Sequence, residues 1–184
     1  MTDQPALRVS AAEFLARSET NRLMQLIEGE IIDMGSPSPD HQVTVYRTAR
    51  TVEELVAALD GNFFIAPLDV ELDDGTVVQP DVMAVLPNSK CIIAENRLIG
   101  APDLVIEVLS PGTAQIDRGR KFHLYERHGV REYWMIDLAN ALVDVWMLKD
   151  GRFVLLDVYG RGETFHSPLL GAVVVDRLLG RKLG

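Results

Sequence analysis

The chain is poor in several things, and each shortage excludes something. It has a single cysteine, Cys91, so no internal disulfide can form, a usage that agrees with a reducing cytoplasm. No histidine lies near Cys91 in sequence, and it reads as a packed thiol rather than a nucleophile. No apolar run approaches the roughly 20 residues that cross a bilayer. The opening stretch MTDQPALRVS lacks a basic segment followed by an apolar one, so no secretory signal is expected. Internal repeats, low-complexity tracts and interdomain linkers are also missing. Basic residues are outnumbered, 18 Lys and Arg against 27 Asp and Glu for a net charge of -9, which argues against broad attraction to nucleic acid. A local basic surface stays open, because Arg118, Arg120, Lys121, Arg127 and Arg131 gather around one expected helix with His128. On charge pattern alone the plainer reading of that group is a solvated helix face.

What is present fits one domain over residues 1–184, with 47% hydrophobic and 24% charged residues, an ordinary globular balance with enough length for a sizeable core. Ser10-Ala-Ala-Glu13 forms a capping box that opens a helix over Ala11 to Ala16. Arg22 to Asp33 reads as two short strands joined at Glu28-Gly29-Glu30. Gly35-Ser-Pro-Ser-Pro39 is a loop, and Asp40 is expected to cap a helix that runs to about Leu59 with Val45, Ala49, Val52, Val56 and Leu59 on its packed face. Phe63, Ile65 and the Leu68-Val70-Leu72 alternation lead into an Asp73-Asp74-Gly75 turn, with Val77-Val78 and Asp81 to Leu86 as the return. Asn88 to Gly100 carries no clear period. After the strand at Leu104–Leu109 and its helix, Glu132 to Asp137 reads as a buried strand whose Tyr133 and Trp134 belong to the core. Ala141 to Leu148 and Phe153 to Tyr159 flank an Asp150-Gly151 turn, with Trp146 also expected in the core. Short strands at Thr164 to His166 and Ala172 to Val175 follow, and Asp176 is placed to cap a last helical turn. The pattern is α/β, a mixed sheet packed by helices with added antiparallel hairpins.

The chemistry concentrates in Asp103-Leu-Val-Ile-Glu107-Val-Leu-Ser110-Pro. One carboxylate, Glu107, interrupts an apolar run, and a charge buried there costs several kcal/mol unless it meets a cation. Asp103 shares its strand face but lies about 13 Å away at ~3.3 Å per residue, too far to share an ion bound at roughly 2.0–2.1 Å. Asp81, opening another apolar strand after Pro80, is the better partner and with Glu107 would make an oxygen-rich, hard-cation site. On the helix that follows, Asp117, Lys121 and Tyr125 fall on one side. Lys121 can serve such a site by stabilising negative charge, or it can be no more than an i,i+4 pair with Asp117. A ligand-free salt-bridge cluster of Asp81, Glu107 and Lys121 is a further reading, which predicts clear destabilisation by Lys121→Ala. Ser110 lacks a histidine base and a G-x-S-x-G elbow and reads as a turn residue beside Glu107. His123 and His128 lack the helix spacing of a paired zinc site.

Taken together, Pro80-Asp81, the Asp103–Pro111 segment, Asp117, Lys121, Tyr125, Gly129-Val130 and Glu132-Tyr133-Trp134 resemble the Uma-two family of predicted endonucleases. That family belongs to the PD-(D/E)XK, restriction-endonuclease-like superfamily. The similarity extends through Glu28-Gly29-Glu30, Ser36-Pro-Ser-Pro-Asp-His41 and Leu72-Asp-Asp-Gly75, so it covers most of the chain. The resemblance implies a Mg²⁺-dependent DNA endonuclease, with Mn²⁺ as a substitute. Asp81 and Glu107 would be the metal ligands and catalytic acids, and Lys121 the catalytic lysine. The superfamily places its lysine two residues after the acid, where this chain has Leu109, so Lys121 would supply it from the next helix. Glu30 and His41 are additional candidates, Glu30 as a further carboxylate and His41 as a phosphate ligand or proton carrier; either can instead be a loop or cap residue, and for His41 the two readings balance. A homodimer is expected if both strands of a duplex are cut by symmetric sites. The alternative is a catalytically inactive nuclease-fold module that binds nucleic acid or protein.

Overall fold

The computed structural model describes residues 8–17 and 23–179. The N-terminal segment read for a signal, apart from Arg8, Val9 and Ser10, and the Arg22 start of the first strand lie outside the described residues. No helix among the described residues is long and apolar enough to cross a membrane.

Helix α1 (Ala11–Leu15) opens on the expected capping box: Ser10 Oγ accepts from Glu13 N, and Glu13 accepts from Ser10 N. Strands β1 (Leu23–Ile27) and β2 (Glu30–Met34) form a hairpin. Its turn needs positive φ at both Glu28 (53°) and Gly29 (83°), the geometry that twists with the strands it joins. Helix α2 (Pro39–Ala57) begins earlier than expected. Ser38, not Asp40, is its cap, because Pro39 suits the first helical position and Ser38 Oγ accepts the His41 N–H at 3.2 Å. Its buried face is the one expected, whereas Leu59 lies past the end and is exposed.

The Phe63-to-Leu86 stretch divides differently from the sequence reading. Strand β3 (Asn62–Ile65) and the hairpin of β4 (Asp69–Asp73) and β5 (Thr76–Val78) belong to different sheets. Strand β6 (Val82–Val85) pairs with β3 instead of continuing the hairpin. Pro80 lacks a ladder donor, so the β5 pairing stops before it. The uncertain Asn88–Gly100 segment supplies β7 (Ile92–Ile93) and β8 (Arg97–Ile99). Then come β9 (Leu104–Leu109), α3 (Ala114–Ile116), a π-helical turn (Asp117–Lys121) and α4 (Phe122–His128). Strands β10 (Glu132–Asp137), β11 (Leu142–Lys149) and β12 (Arg152–Gly160) follow. The chain ends its described course with β13 (Thr164–Ser167), β14 (Gly171–Val174) and α5 (Val175–Leu178). Asp176 does not cap α5; its carboxylate accepts the Gly162 N–H at 2.8 Å and ties down the turn after β12.

The fold is α/β with two mixed six-stranded sheets, ordered β2-β1-β5-β4-β8-β7 and β12-β11-β10-β9-β6-β3. Strand β9 lies between parallel β10 and antiparallel β6 and is buried on both faces. That accounts for its unbroken apolar reading. Helices α2 and α5 cover one face of this sheet, packing Val52 and Leu178 toward Ile106 and Trp134. On the other face Leu124 and Tyr125 of α4 join Val105, Tyr133 and residues of the second sheet. Tyr133 and Trp134 are fully buried, as expected of core residues. Trp146 is half-buried, its ring edge-on to Phe122 at 4.8 Å. Cys91 is a buried free thiol, and burial pushes it up to about 11.

Glu132 works as a buried pin. Its carboxylate accepts from Ser167 Oγ, Leu169 N and Trp134 Nε1, fastening the β13–β14 hairpin to the central sheet.

Candidate active site

Strand β9 and its neighbour β6 set the site. The β6–β9 ladder runs to Val82 opposite Ile106. Where the ladder stops, the Asp81 carboxylate takes over, and its Oδ2 accepts the Val108 N–H at 2.7 Å. This pins Asp81 beside Glu107 at the end of the sheet. Asp103 stays out of the site, as its distance along the strand required: it accepts from Leu86 N and from Arg131.

The third element is the π-helical turn. A wider turn of this kind is a common feature of functional sites. It brings Lys121 Nζ to 2.9 Å from Glu107 Oε1 and 3.1 Å from Asp117 Oδ1. Tyr125 donates its hydroxyl to the same Glu107 oxygen at 2.8 Å, so the expected Asp117–Lys121–Tyr125 stripe faces Glu107. Among the described residues no hydrogen bond reaches Glu107 Oε2. Tyr133 in turn donates to the Asp117 carbonyl and steadies the turn from below.

Burial pushes Glu107 up to about 8; Lys121 opposes that shift, while Asp117 and Asp81 add to it. Lys121 is equally buried, but the charges of Glu107 and Asp117 outweigh burial and hold it above its ordinary value, fully protonated. His41 reaches Asp81 Oδ2 with Nε2 at 3.3 Å. Burial works against its charge, yet the Asp81 contact wins and the ring is shifted upward. A carboxylate only accepts, so Nε2 carries the proton toward Asp81. Nδ1 is buried without a partner among the described residues.

Asp81, Glu107, Asp117, Lys121, His41 and Ser110 all line one cleft of about 390 Å³. Ser110 Oγ sits 3.0 Å from Thr113 Oγ1, in keeping with its reading as a turn residue. Tyr125 lies behind the cleft and acts through Glu107. Glu30 is not brought in: it begins β2, is exposed, and is held by Arg120 at 2.8 Å. Sequence reasoning passed over Gln25, a buried β1 side chain that lines the cleft, its Oε1 without a partner among the described residues. Its signal was there, one polar residue inside Leu23-Met-Gln-Leu-Ile27, the same kind of interruption that marks Glu107.

The donor set suits a hard divalent cation. Three carboxylates face one ammonium at the cleft floor, and among the described residues Glu107 Oε2 receives no hydrogen bond. A cation there would offset the negative charge of Asp117 and Asp81, which adds to the burial that pushes Glu107 upward. Two protein carboxylates leave the remaining positions to water, and among the described residues no group of three or more His, Cys, Asp or Glu side chains forms a ready-made metal cage.

The five basic residues around the helix do not form an open cationic face. Besides Lys121, Arg118 meets Asp137 and Asp144, Arg120 meets Glu30, Arg127 meets Glu28, and Arg131 meets Asp103.

The sequence model of the Uma2 family, described as "Putative restriction endonuclease", matches residues 11–176. The chain belongs to the Uma2 family. Two Synechocystis relatives are similar along most of their length. Uncharacterized protein sll1609 is 26% identical over 156 residues, 83% of this chain and 88% of that protein. Uncharacterized protein slr1290 is 27% identical over 183 residues, 98% and 88%. In structure, this Uma2 chain superposes with a TM-score of 0.75 on a crystal structure described as a "putative nuclease belonging to DUF820" from Anabaena variabilis ATCC 29413. That likeness covers 93% of this chain and 97% of the other at 21% identity, and it shows the shared restriction-endonuclease-like fold.

Proposed function

We propose that this Uma2 protein is a divalent-metal-dependent endonuclease that hydrolyses DNA phosphodiester bonds, with Mg²⁺ or Mn²⁺ held by Asp81 and Glu107. The observation that carries the reading is Lys121 Nζ, delivered from the π-helical turn to 2.9 Å from Glu107 although position 109 of the strand is leucine. A bound divalent ion supplies an activated water and neutralises charge on the phosphate. Asp81 orients by its fixed bond to Val108 N, so its other oxygen is presented to the cleft without a search among rotamers. With a cation on Glu107, Lys121 would stay balanced by Asp117 and would hold positive charge where the phosphate oxygens gain negative charge. Tyr125 keeps Glu107 in its rotamer. His41 orients Asp81.

The protein acts in the cytoplasm as one domain over residues 1–184 in this reading. A homodimer would have to avoid the β12 edge, since carboxylates of Glu126, Asp157 and Glu163 occupy the N–H groups of Phe153, Val158 and Gly160 and block edge-to-edge pairing. The competing reading is an inactive binding module, favoured by the net charge of -9 and by leucine at position 109. A melting experiment separates the two. Mn²⁺ or Mg²⁺ should raise Tm in the wild type and not in Glu107→Ala, as linkage requires of a native-state site. Absence of any rise in the wild type defeats the nuclease reading.

A further inference from the structure

Beside the cleft lies a second cavity of about 350 Å³ that the hydrolysis above does not use. The two share a wall made by Ser38 and His41 at the start of α2 and by Ser110-Pro111 after β9. A group leaving the metal cleft over this wall enters the second cavity directly.

The lining selects what would fit. Leu109, Pro111, Ala114 and Leu138 make it apolar on several sides. Arg118 stands at the border, its guanidinium held by Asp144 at 2.7 Å and Asp137 at 3.1 Å. Those bonds use the edge of the guanidinium and leave its planar faces for stacking. Asp137 also lines the cavity, and with Asp144 it already meets the Arg118 charge, which weakens the pull of that guanidinium on a phosphate. A flat, neutral heterocycle with N–H donors satisfies all of these surfaces, and the volume lies at the small end of ligand pockets. His41, buried and with Nδ1 unpartnered, supplies a polar atom on the shared wall.

Resting on the nuclease reading, we infer that the substrate is DNA with an unpaired strand, whose scissile phosphate sits over Asp81, Glu107 and Lys121 while the adjacent nucleobase enters the second cavity. A base reaches such a pocket only out of the stack, and an unpaired strand loses least in leaving it. An unpaired strand is cut once and needs no second copy of the site.

The test measures binding of a short fluorescein-labelled single strand and of its duplex by anisotropy in Ca²⁺, and cleavage of both in Mn²⁺. Wild type and two cavity-filling variants, Ala139→Trp on an exposed turn and Ala114→Trp, are compared. The single strand should bind at least about tenfold more tightly than the duplex, and each variant should lose roughly tenfold in single-strand affinity, the scale of one lost base stack. Both variants should keep the Mn²⁺-induced rise in Tm, which also reports that they fold. Equal or tighter duplex binding, or folded variants whose single-strand affinity is intact, overturns the inference even if Glu107-dependent cleavage of duplex proves the nuclease. Single-strand binding that the tryptophans abolish, without Glu107-dependent cleavage of either form, upholds the base pocket and defeats the nuclease.

Discussion

Lys121→Met takes the ammonium from two buried carboxylates, Glu107 and Asp117, with Asp81 beside them. Lys121 is 1% exposed, with Nζ 2.9 Å from Glu107 and 3.1 Å from Asp117. Methionine nearly matches the lysine stem, so little packing is lost and the cost is that of the uncompensated carboxylates. Removing one partner of a buried pair costs about 3–5 kcal/mol. For a chain of this size that is a fall in Tm of about 6–20 °C. The sign with pH follows from Glu107, already pushed up to about 8 and raised further when the ammonium goes. Above the ordinary carboxylate range the native state then binds more protons than the unfolded chain, so stability falls as pH rises. The deficit should be larger at about pH 9 than at about pH 6, because the protonated carboxyl needs no cation. Urea unfolding at the two pH values measures it. Glu107→Gln added to Lys121→Met should recover part of the loss, since glutamine can still accept from Tyr125. A single variant within about 1 kcal/mol of wild type would refute the buried ion pair. Because Lys121 is buried, destabilisation on its removal no longer separates a catalytic lysine from a structural one, as the sequence had suggested it would; that decision passes to the cation-induced rise in Tm.

Asp81→Asn retains an oxygen for the Val108 N–H, so its unfolding midpoint should stay within about 1 kcal/mol of wild type while the Mn²⁺-induced rise in Tm disappears; a rise that survives would remove Asp81 from the metal site. Burial raises the Glu132 carboxyl above its ordinary value against the bonds from Ser167, Trp134 and Leu169. Its native form therefore holds extra protons above pH about 4.5 and contributes stability that is lost as pH rises through its folded pKa, so the wild-type Tm should decline over that interval more steeply than that of Glu132→Gln. Equal slopes would contradict this. Cys91, buried and pushed up to about 11, should resist iodoacetamide at neutral pH and react on unfolding, as mass spectrometry would report; rapid labelling of the native chain would show the thiol to be open.

Periodicity and turn residues determined much of this protein locally. The capping box at Ser10, the Glu28-Gly29 and Asp150-Gly151 turns, the buried face of α2 and the doubly buried β9 each depend on neighbours within a few residues, so the sequence displays them. Glu107 could be picked out because a lone carboxylate in an apolar run needs an explanation wherever the chain goes next. Asp81 and Lys121 were candidates beside it from strand and helix spacing, and the resemblance gave them roles. Tertiary structure alone decided that β6 leaves the β4–β5 hairpin for another sheet, that Ser38 rather than Asp40 starts α2, and that Glu30 is drawn to Arg120 outside the cleft. It alone revealed the ion pairs that neutralise the helix arginines and the cavity across the Ser38–Pro111 wall. These features join groups distant in sequence, and pairing between distant groups is set by which surfaces the core brings together, information that no local pattern carries.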